Sequence, residues 1–140
     1  MPASRLDGKS ALVTGGAVRV GRAIALALAD AGADVGLHYR ASSREAEETA
    51  AEIRALGRRS AIVAGDLEKP EDCRRAVREA VAAFSGLDLL VLSAANFHQA
   101  PLSETDEALW DSSLNVNARS GFLMAREAAP TLTVIASEWR

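Results

Sequence analysis

SALVTGGAVRVG, residues 10–21, is the stretch that decides the fold. Residues 10–14 form a short apolar run typical of a buried strand, and the Ala-rich segment 21–31 after the loop predicts a helix. The glycines between them let a backbone approach an anion, and a helix N-terminus offers free N–H groups and a positive dipole end. Because a second strand, 34–39, follows the helix, this order indicates a βαβ unit that binds a dinucleotide, rather than a tight turn alone.

The rest of the chain continues the alternation of strands and helices. Further strands are predicted at 60–64, 87–92 and 131–136, and further helices at 43–56, 70–84 and 103–129, the last with a bend near 115–117. Ser42 and Glu45 have the spacing of a capping box. The alternation predicts an α/β fold with a Rossmann-like, doubly wound parallel sheet of about five strands in the order 3-2-1-4-5. We expect one domain, residues 1–140.

Composition narrows the class of protein. Hydrophobic residues make up 49% of the chain and charged residues 25%, which is typical of a globular domain. The net charge of −3 and the scattered arginines argue against a nucleic-acid partner. No apolar run reaches the roughly 20 residues of a membrane span, and the first residues lack a signal-peptide core. One cysteine and two separated histidines give no metal cluster, and we expect a cytoplasmic protein.

The end of the second strand predicts which dinucleotide is bound. A site selective for NAD usually has an acid there for the ribose 2′-hydroxyl, but this chain reads His38-Tyr39-Arg40-Ala41-Ser42. Arg40, and Arg19 in the loop, can pair with a 2′-phosphate, and Ser42 or Ser43 can add hydroxyl donors. This pattern favours NADP(H) over NAD(H). The alternative is that both arginines are only solvated.

The motif Thr14-Gly15-x-x-x-Arg19-x-Gly21 resembles the glycine motif of the short-chain dehydrogenase/reductase family. Arg19 stands where that family usually has its middle glycine, and this variant, like His38-Tyr39-Arg40, is similar to the NADPH-dependent pteridine-reductase branch. The resemblance covers about residues 5–130. It implies an oxidoreductase that transfers a hydride between a nicotinamide and a carbonyl or pterin-like small molecule.

The resemblance also assigns site residues. Asp66 matches the acid that contacts the adenine ring, although it can also simply cap a turn. Residues 92–95 read Leu-Ser-Ala-Ala where the family has Asn-Asn-Ala-Gly, so both asparagines are missing. Asn117 matches the helix asparagine of the catalytic proton relay, or it stabilises a bent helix, and Ser137 stands near the place of the catalytic serine. The expected cofactor-binding set is Gly15, Arg19, Val20, Gly21, Tyr39, Arg40, Ser42, Asp66, Leu67, Ser93, Ala94 and Ala95.

The catalytic tyrosine and lysine of the family are missing. Family chemistry needs a lysine four residues after a tyrosine, because an unperturbed tyrosine has a pKa near ~10 and exchanges protons poorly at neutral pH. The only tyrosine here is Tyr39, and the only lysines are Lys9 and Lys69. The chain is therefore expected to be truncated before the Tyr-x-x-x-Lys motif and to show no turnover alone, and whether it acts as an enzyme stays open.

Three hypotheses follow for this chain. It is a reductase that takes its tyrosine and lysine from elsewhere, a non-catalytic NADP(H)-binding or interaction module, or a shortened product with only residual folding. A homo-oligomer is expected because helix 118–129 carries small residues at Ala118, Gly121 and Ala125, and this helix commonly forms the subunit interface in the family. The alternative is that these residues only pack on the sheet.

Overall fold

The computed structural model describes residues 6–132. Within this range it contains one parallel sheet in the order β3-β2-β1-β4, which confirms the α/β class and the predicted order of the first four strands. Of the predicted fifth strand, 131–136, only the first two residues are described, and they lie in a turn; the rest lies outside the described residues, as does Ser137. The strands are β1 (Ser10–Val13), β2 (Asp34–Tyr39), β3 (Ser60–Ala64) and β4 (Leu89–Val91).

Helices connect the strands at nearly the predicted positions. The predicted helix 103–129 is divided by a π-helical turn, Asn115–Arg119, close to the bend expected near 115–117. A short 3₁₀ turn, Leu102–Glu104, precedes the first α-helix of this region. The α-helices are α1 (Arg19–Asp30), α2 (Ser43–Ala55), α3 (Pro70–Phe84), α4 (Glu107–Leu114) and α5 (Ser120–Ala128).

The sheet is covered on both faces. Successive strand residues point to opposite faces, and the neighbours Leu12 and Val13 in β1 accordingly belong to different apolar clusters. Val13 packs with α1 and α2, whose buried positions are mostly alanine and allow close approach to the sheet. Leu12 packs with α3 and α5 around Met124. Cys73 is buried in this second cluster, and its thiol donates to the carbonyl oxygen of Leu67 at 3.4 Å.

Two local predictions need correction. Strand β4, Leu89–Val91, is shorter than the predicted 87–92. Among the described residues it pairs with β1, and the fifth strand predicted as its other neighbour lies almost entirely outside them. The predicted capping box is wrong: Ser42 is the N-cap of α2, but its side chain makes no capping hydrogen bond. Its ψ of 56° lies outside the extended region from which an N-cap hydroxyl reaches the free N–H groups.

Candidate functional site

A cleft of about 430 Å³ opens where β1, β2 and β4 end. The carboxyl ends of parallel strands are where open α/β sheets bind ligands. Every residue of the expected cofactor set except Asp66 and Leu67 lines this cleft. The full lining is Gly15, Ala17, Val18, Arg19, Val20, Gly21, His38, Tyr39, Arg40, Ala41, Ser42, Ser93, Ala94 and Ala95.

Glycines form one wall of the cleft because side chains do not fit there. A Cβ on Gly21 would lie 2.1 Å from the carbonyl oxygen of Gly15, and a Cβ on Gly16 would lie 2.9 Å from the Leu37 side chain. Gly15 itself has a φ of +61°, and its Cβ would lie 3.1 Å from the Ala94 Cα. Loop and helix therefore meet backbone to backbone, which leaves the peptide groups accessible to a ligand.

The N-terminus of α1 suits an anion. Its N-cap is Val18, which supplies no side-chain capping bond, and its first turn holds no acidic residue. Arg19, the first residue of the helix, adds a positive charge and is exposed. The backbone of Arg19 has a φ of +51°, a left-handed conformation that normally favours glycine. This strained backbone stands at the position where the glycine motif usually has a second glycine.

The end of β2 adds a second cation to the cleft. Arg40 is mostly exposed, and its Nη2 lies 3.8 Å from Asp66 Oδ2. Ser42 is half-buried, and its hydroxyl is not used as a helix cap. Tyr39 belongs to β2 and lines the cleft, as expected. The structure thus brings Arg19, Arg40 and Ser42 to one cleft.

A smaller cavity of about 90 Å³ adjoins the cleft and contains both remaining members of the expected set, Asp66 and Leu67. The Asp66 carboxylate accepts a hydrogen bond from Glu68 N at 3.0 Å, so it also caps the turn after β3. Both sequence interpretations of Asp66, an acid that contacts the adenine ring and a residue that caps the turn, are compatible with this placement. The lining is His38, Arg40, Gly65, Asp66, Leu67, Ala94, Ala95, Asn96 and Val116.

Thr14 was overlooked as a site residue in the sequence. Its buried hydroxyl accepts hydrogen bonds from Ser93 N at 2.9 Å and Ala94 N at 3.0 Å, and it donates to Val91 O at 3.4 Å. One side chain from β1 therefore holds the loop after β4 against the cleft, although the family's asparagines are absent there. The signal in the sequence was a hydroxyl residue at the end of a buried strand.

His38 was also overlooked, apart from its place in the His38-Tyr39-Arg40 segment. The ring is 2% exposed and hydrogen-bonds the backbone of two different loops, at Gly15 and Gly65. Burial lowers its pKa from the ordinary value of 6.5. A histidine inside an apolar strand was the available signal, since a buried polar side chain needs partners.

Asn117, the expected catalytic asparagine, lies in the π-helical turn. Its Oδ1 accepts from Asn96 N at 2.9 Å, and its Nδ2 donates to Asn96 O at 2.9 Å. The side chain thus holds the loop after β4 to the helix break, which agrees with the stabilising alternative without testing the catalytic one. Lys9, by contrast, pairs with Asp88 at 3.2 Å at the amino ends of β1 and β4, away from the cleft.

Two kinds of feature are absent from residues 6–132. Among these residues no cluster of His, Cys, Asp and Glu side chains could hold a metal ion. None of the helices in the same range has the length and apolar character needed to cross a membrane.

The chain is similar to proteins of known class. The family model described as short chain dehydrogenase matches residues 9–138. The short chain dehydrogenase/reductase AacuN of Aspergillus aculeatus is 38% identical over 123 residues, which cover 88% of this chain and 47% of the relative. Such identity over most of the chain indicates common ancestry.

Solved structures indicate the same family relationship. A short chain dehydrogenase from Burkholderia cenocepacia in complex with NADP is 42% identical with a TM-score of 0.90, and the match covers 91% of this chain and 52% of that one. A blue fluorescent protein from a metagenomic library, in complex with NADPH, is 32% identical with a TM-score of 0.88 and coverages of 91% and 53%. The chain spans about half the length of these relatives. With the glycine cradle, the strand order and the family match all in agreement, the chain belongs to the short-chain dehydrogenase/reductase family.

Proposed function

We propose that this chain is the NADP(H)-binding part of a short-chain oxidoreductase. The observation that carries the proposal is the position of Arg19 and Arg40, which both line the cleft at the uncapped N-terminus of α1. The glycine wall supports it, because a Cβ at Gly16 or Gly21 would collide with neighbouring atoms. Arg19 and Arg40 supply two guanidinium groups to the cleft, and the end of β2 carries no acid. Both features favour a cofactor that carries a 2′-phosphate.

Each part of the cofactor has residues that would hold it. The pyrophosphate would lie against the N-terminus of α1 and the glycine loop. Arg19, Arg40 and Ser42 would bind the 2′-phosphate, and the smaller cavity beside Asp66 and Leu67 would take the adenine. The bound nicotinamide would supply or accept the hydride. The relatives crystallised with NADP and NADPH support NADP(H) as the cofactor.

Arg40 must change partners when a 2′-phosphate binds. Its present partner is Asp66, at 3.8 Å, in a long and partly exposed pair that contributes little to stability. A phosphate carries more charge than a carboxylate and accepts two hydrogen bonds from one guanidinium, so it competes well for Arg40. Asp66 would then be free to face the adenine amino group.

The reaction we propose for the oxidoreductase is hydride transfer to a carbonyl or pterin-like small molecule. The similarity of the Arg19 motif and of His38-Tyr39-Arg40 to pteridine reductases supports this substrate class. The 140 residues contain no Tyr-x-x-x-Lys, so we expect no turnover from them alone. The alternative is a non-catalytic NADP(H)-binding or interaction module, which the loss of both asparagines at 92–93 favours.

Cofactor titration tests the binding proposal. NADPH should bind at least about tenfold more tightly than NADH, and Arg19→Ala or Arg40→Ala should remove most of that preference because each deletes a phosphate partner. Arg44→Ala is the matched control, since Arg44 is an exposed arginine on α2 that pairs with Glu48 at 2.9 Å and does not line the cleft. Equal affinities of the wild type for NADPH and NADH would contradict the proposal.

Turnover and assembly are measured separately. NADPH oxidation with a panel of carbonyls, quinones and pterins should stay at the level of a heat-killed control, and a rate well above it would refute the expected inactivity.

We also propose one domain, a cytoplasmic location suggested by the single cysteine, and a homo-oligomer. Ala118 and Ala125 are exposed together with Phe122, which supports association through α5. A monomer in light scattering at micromolar concentration would contradict the oligomer.

A further inference from the structure

His38 connects two loops that belong to different parts of the proposed cofactor site. Its Nδ1 lies 3.3 Å from the backbone nitrogen of Gly15, in the glycine loop. Its Nε2 lies 3.0 Å from the carbonyl oxygen of Gly65, in the turn that leads to Asp66. The carbonyl oxygen of His38 also accepts a hydrogen bond from Gly16 N at 3.0 Å. We call the contacts of the ring to Gly15 and Gly65 the His38 bridge.

The bridge requires one protonation state. The N–H of Gly15 can only donate, so Nδ1 must be an unprotonated acceptor. The carbonyl of Gly65 can only accept, so Nε2 must carry a proton. A neutral ring with the proton on Nε2 meets both conditions. A proton on Nδ1 would face the N–H of Gly15 and replace the hydrogen bond with a repulsion between two donors.

Gly15 is poorly able to adapt to that repulsion. A Cβ on Gly15 would lie 3.1 Å from the Ala94 Cα, and the Gly15 carbonyl oxygen faces Gly21 so closely that no Cβ fits between them. Its φ of +61° is a left-handed backbone angle that favours glycine. A displacement of Gly15 would therefore move the start of α1, where the pyrophosphate is proposed to bind. The Gly65 side of the bridge leads directly to the cavity proposed for the adenine.

We propose that His38 is a positioning residue for cofactor binding, whose neutral ring ties the glycine loop to the turn at Gly65 and whose protonation releases that tie, so that nucleotide affinity falls in weak acid. The inference rests on the proposed NADP(H) site. His38 itself would touch the backbone that holds the cofactor and take no part in hydride transfer.

The surroundings of the His38 ring shift its pKa in both directions. Desolvation by burial has the largest effect and lowers the pKa of His38, while the Gly65 carbonyl and the Asp72 carboxylate of α3 raise it and Arg75 of α3 lowers it. On α3, Asp72 and Arg75 are themselves paired at 3.1 Å, which weakens both effects.

On the cleft side, the charged residues that line the same two cavities as His38 are Arg40, Asp66 and Arg19. Arg40 and Asp66 pair with each other at 3.8 Å, and Arg19 is exposed to water. Asp72 is therefore the acid that favours a charged ring, and its pairing with Arg75 weakens that effect. Geometry and surroundings thus both favour the neutral form.

The first experiment measures the ring in the free protein. The chain has only two histidines, His38 and His98, so a long-range nitrogen–proton NMR spectrum of the ¹⁵N-labelled protein should give two patterns, and His98→Gln assigns them. We expect His38 to carry its proton on Nε2 at neutral pH and to titrate below 6.5. A ring charged at neutral pH, or with its proton on Nδ1, would overturn the inference.

The second experiment measures NADP⁺ affinity by calorimetry between about pH 5 and pH 8, since NADP⁺ is stable in acid. Its 2′-phosphate titrates near ~6 in any variant, so the informative quantity is the difference between wild type and His38→Asn. The amide oxygen of Asn retains an acceptor for Gly15 and does not titrate. As the pH falls from about 8 to about 5, we expect the affinity of the wild type for NADP⁺ to decrease at least about tenfold more than that of His38→Asn. The control His98→Gln should show the same decrease as the wild type.

The outcomes separate the two proposals. Parallel pH profiles for wild type and His38→Asn would refute the role of His38 while the binding of NADP⁺ stands. A wild type that binds no NADP⁺ at any pH would refute the proposed function and this role with it. If His38→Asn does not fold, His38→Gln, whose longer amide retains a donor for Gly65, replaces it in the same comparison.

Discussion

Asn117 satisfies both backbone polar groups of Asn96, because its Oδ1 accepts from the Asn96 N–H and its Nδ2 donates to the Asn96 carbonyl, each at 2.9 Å. The first residue lies in the π-helical turn between α4 and α5, and the second lies in the loop after β4. A helix break that looks like a local irregularity thus anchors the loop after β4, whose residues 93–95 line the cleft and whose Asn96 lines the smaller cavity. π-helical turns are often found at functional sites.

Replacing Asn117 with Ala should lower the free energy of unfolding by about 1–2 kcal/mol, because two hydrogen bonds to partly exposed backbone groups are lost. Asn115→Ala is the control, since Asn115 lies in the same π-helical turn but does not bond to the loop after β4. Urea denaturation measures both variants. Equal losses would mean that the effect comes from the helix and not from the contact with Asn96.

Arg19→Gly should make the protein more stable and a weaker binder of NADPH. Glycine adopts the φ of +51° without strain, so we expect the free energy of unfolding to rise by about 1 kcal/mol. Arg19→Ala removes the same guanidinium but retains the strained backbone, so it should lose affinity without gaining stability. Denaturation and NADPH titration of both variants measure the two effects, and a similar stability for Gly and Ala would argue against strain at this position.

Gly21→Ala should lower the free energy of unfolding by about 3 kcal/mol or more, because the new Cβ would lie 2.1 Å from the Gly15 carbonyl oxygen. Gly57→Ala separates steric collision from backbone strain, since Gly57 has a φ of +79° but a Cβ added there would have no atom within 4 Å. It should lose only about 1 kcal/mol. Thermal and urea unfolding measure both, and a loss at Gly21 no larger than at Gly57 would show that the loop yields easily.

Asp88 should give the fold part of its acid sensitivity. The hydrogen bond from Ser10 N, at 2.9 Å, is the main cause that holds the Asp88 pKa below its ordinary value of 3.8, and Lys9 adds to it. The unfolded chain then binds more protons, so the stabilisation is complete above about pH 3.8 and disappears as the pH falls through the folded value.

Asp88→Asn removes this dependence. We expect a loss of about 1 kcal/mol at neutral pH, because a charged acceptor is replaced by a neutral one, and a flatter stability curve in acid. Asp30→Asn, an exposed carboxylate at the end of α1, is the control and should keep the wild-type slope. Urea midpoints across the acid range supply the curves, and parallel slopes for wild type and Asp88→Asn would assign the acid sensitivity to other groups.

The sequence predicted the architecture well because the signals were local. The strand over 34–39 and the helix over 70–84 have the predicted ends, since Pro70 begins the helix and short apolar runs mark the strands. The glycine motif located the start of α1 to within two residues, since the helix was predicted from Gly21 and begins at Arg19. Where a boundary was missed, as in β4, the cause was pairing: only Leu89–Val91 find partners on β1, although the apolar run is longer.

The contacts that shape the site were harder to predict because they join distant parts of the chain. The bonds from Thr14 to the loop after β4 and from His38 to Gly65 depend on strand order and register, which no single segment contains. The failed capping box at Ser42 shows the same limit on a smaller scale, since a favourable spacing did not produce the required backbone angle.

Cys73 gives the molecule an internal reporter of its own opening. The chain has one cysteine, its thiol is buried against the Leu67 carbonyl, and burial raises its pKa, so little reactive thiolate is present in the closed state. A thiol reagent can therefore modify it readily only when the apolar cluster around α3 opens. The rate of modification counts these openings under native conditions, with no label attached beforehand and no competing thiol in the chain.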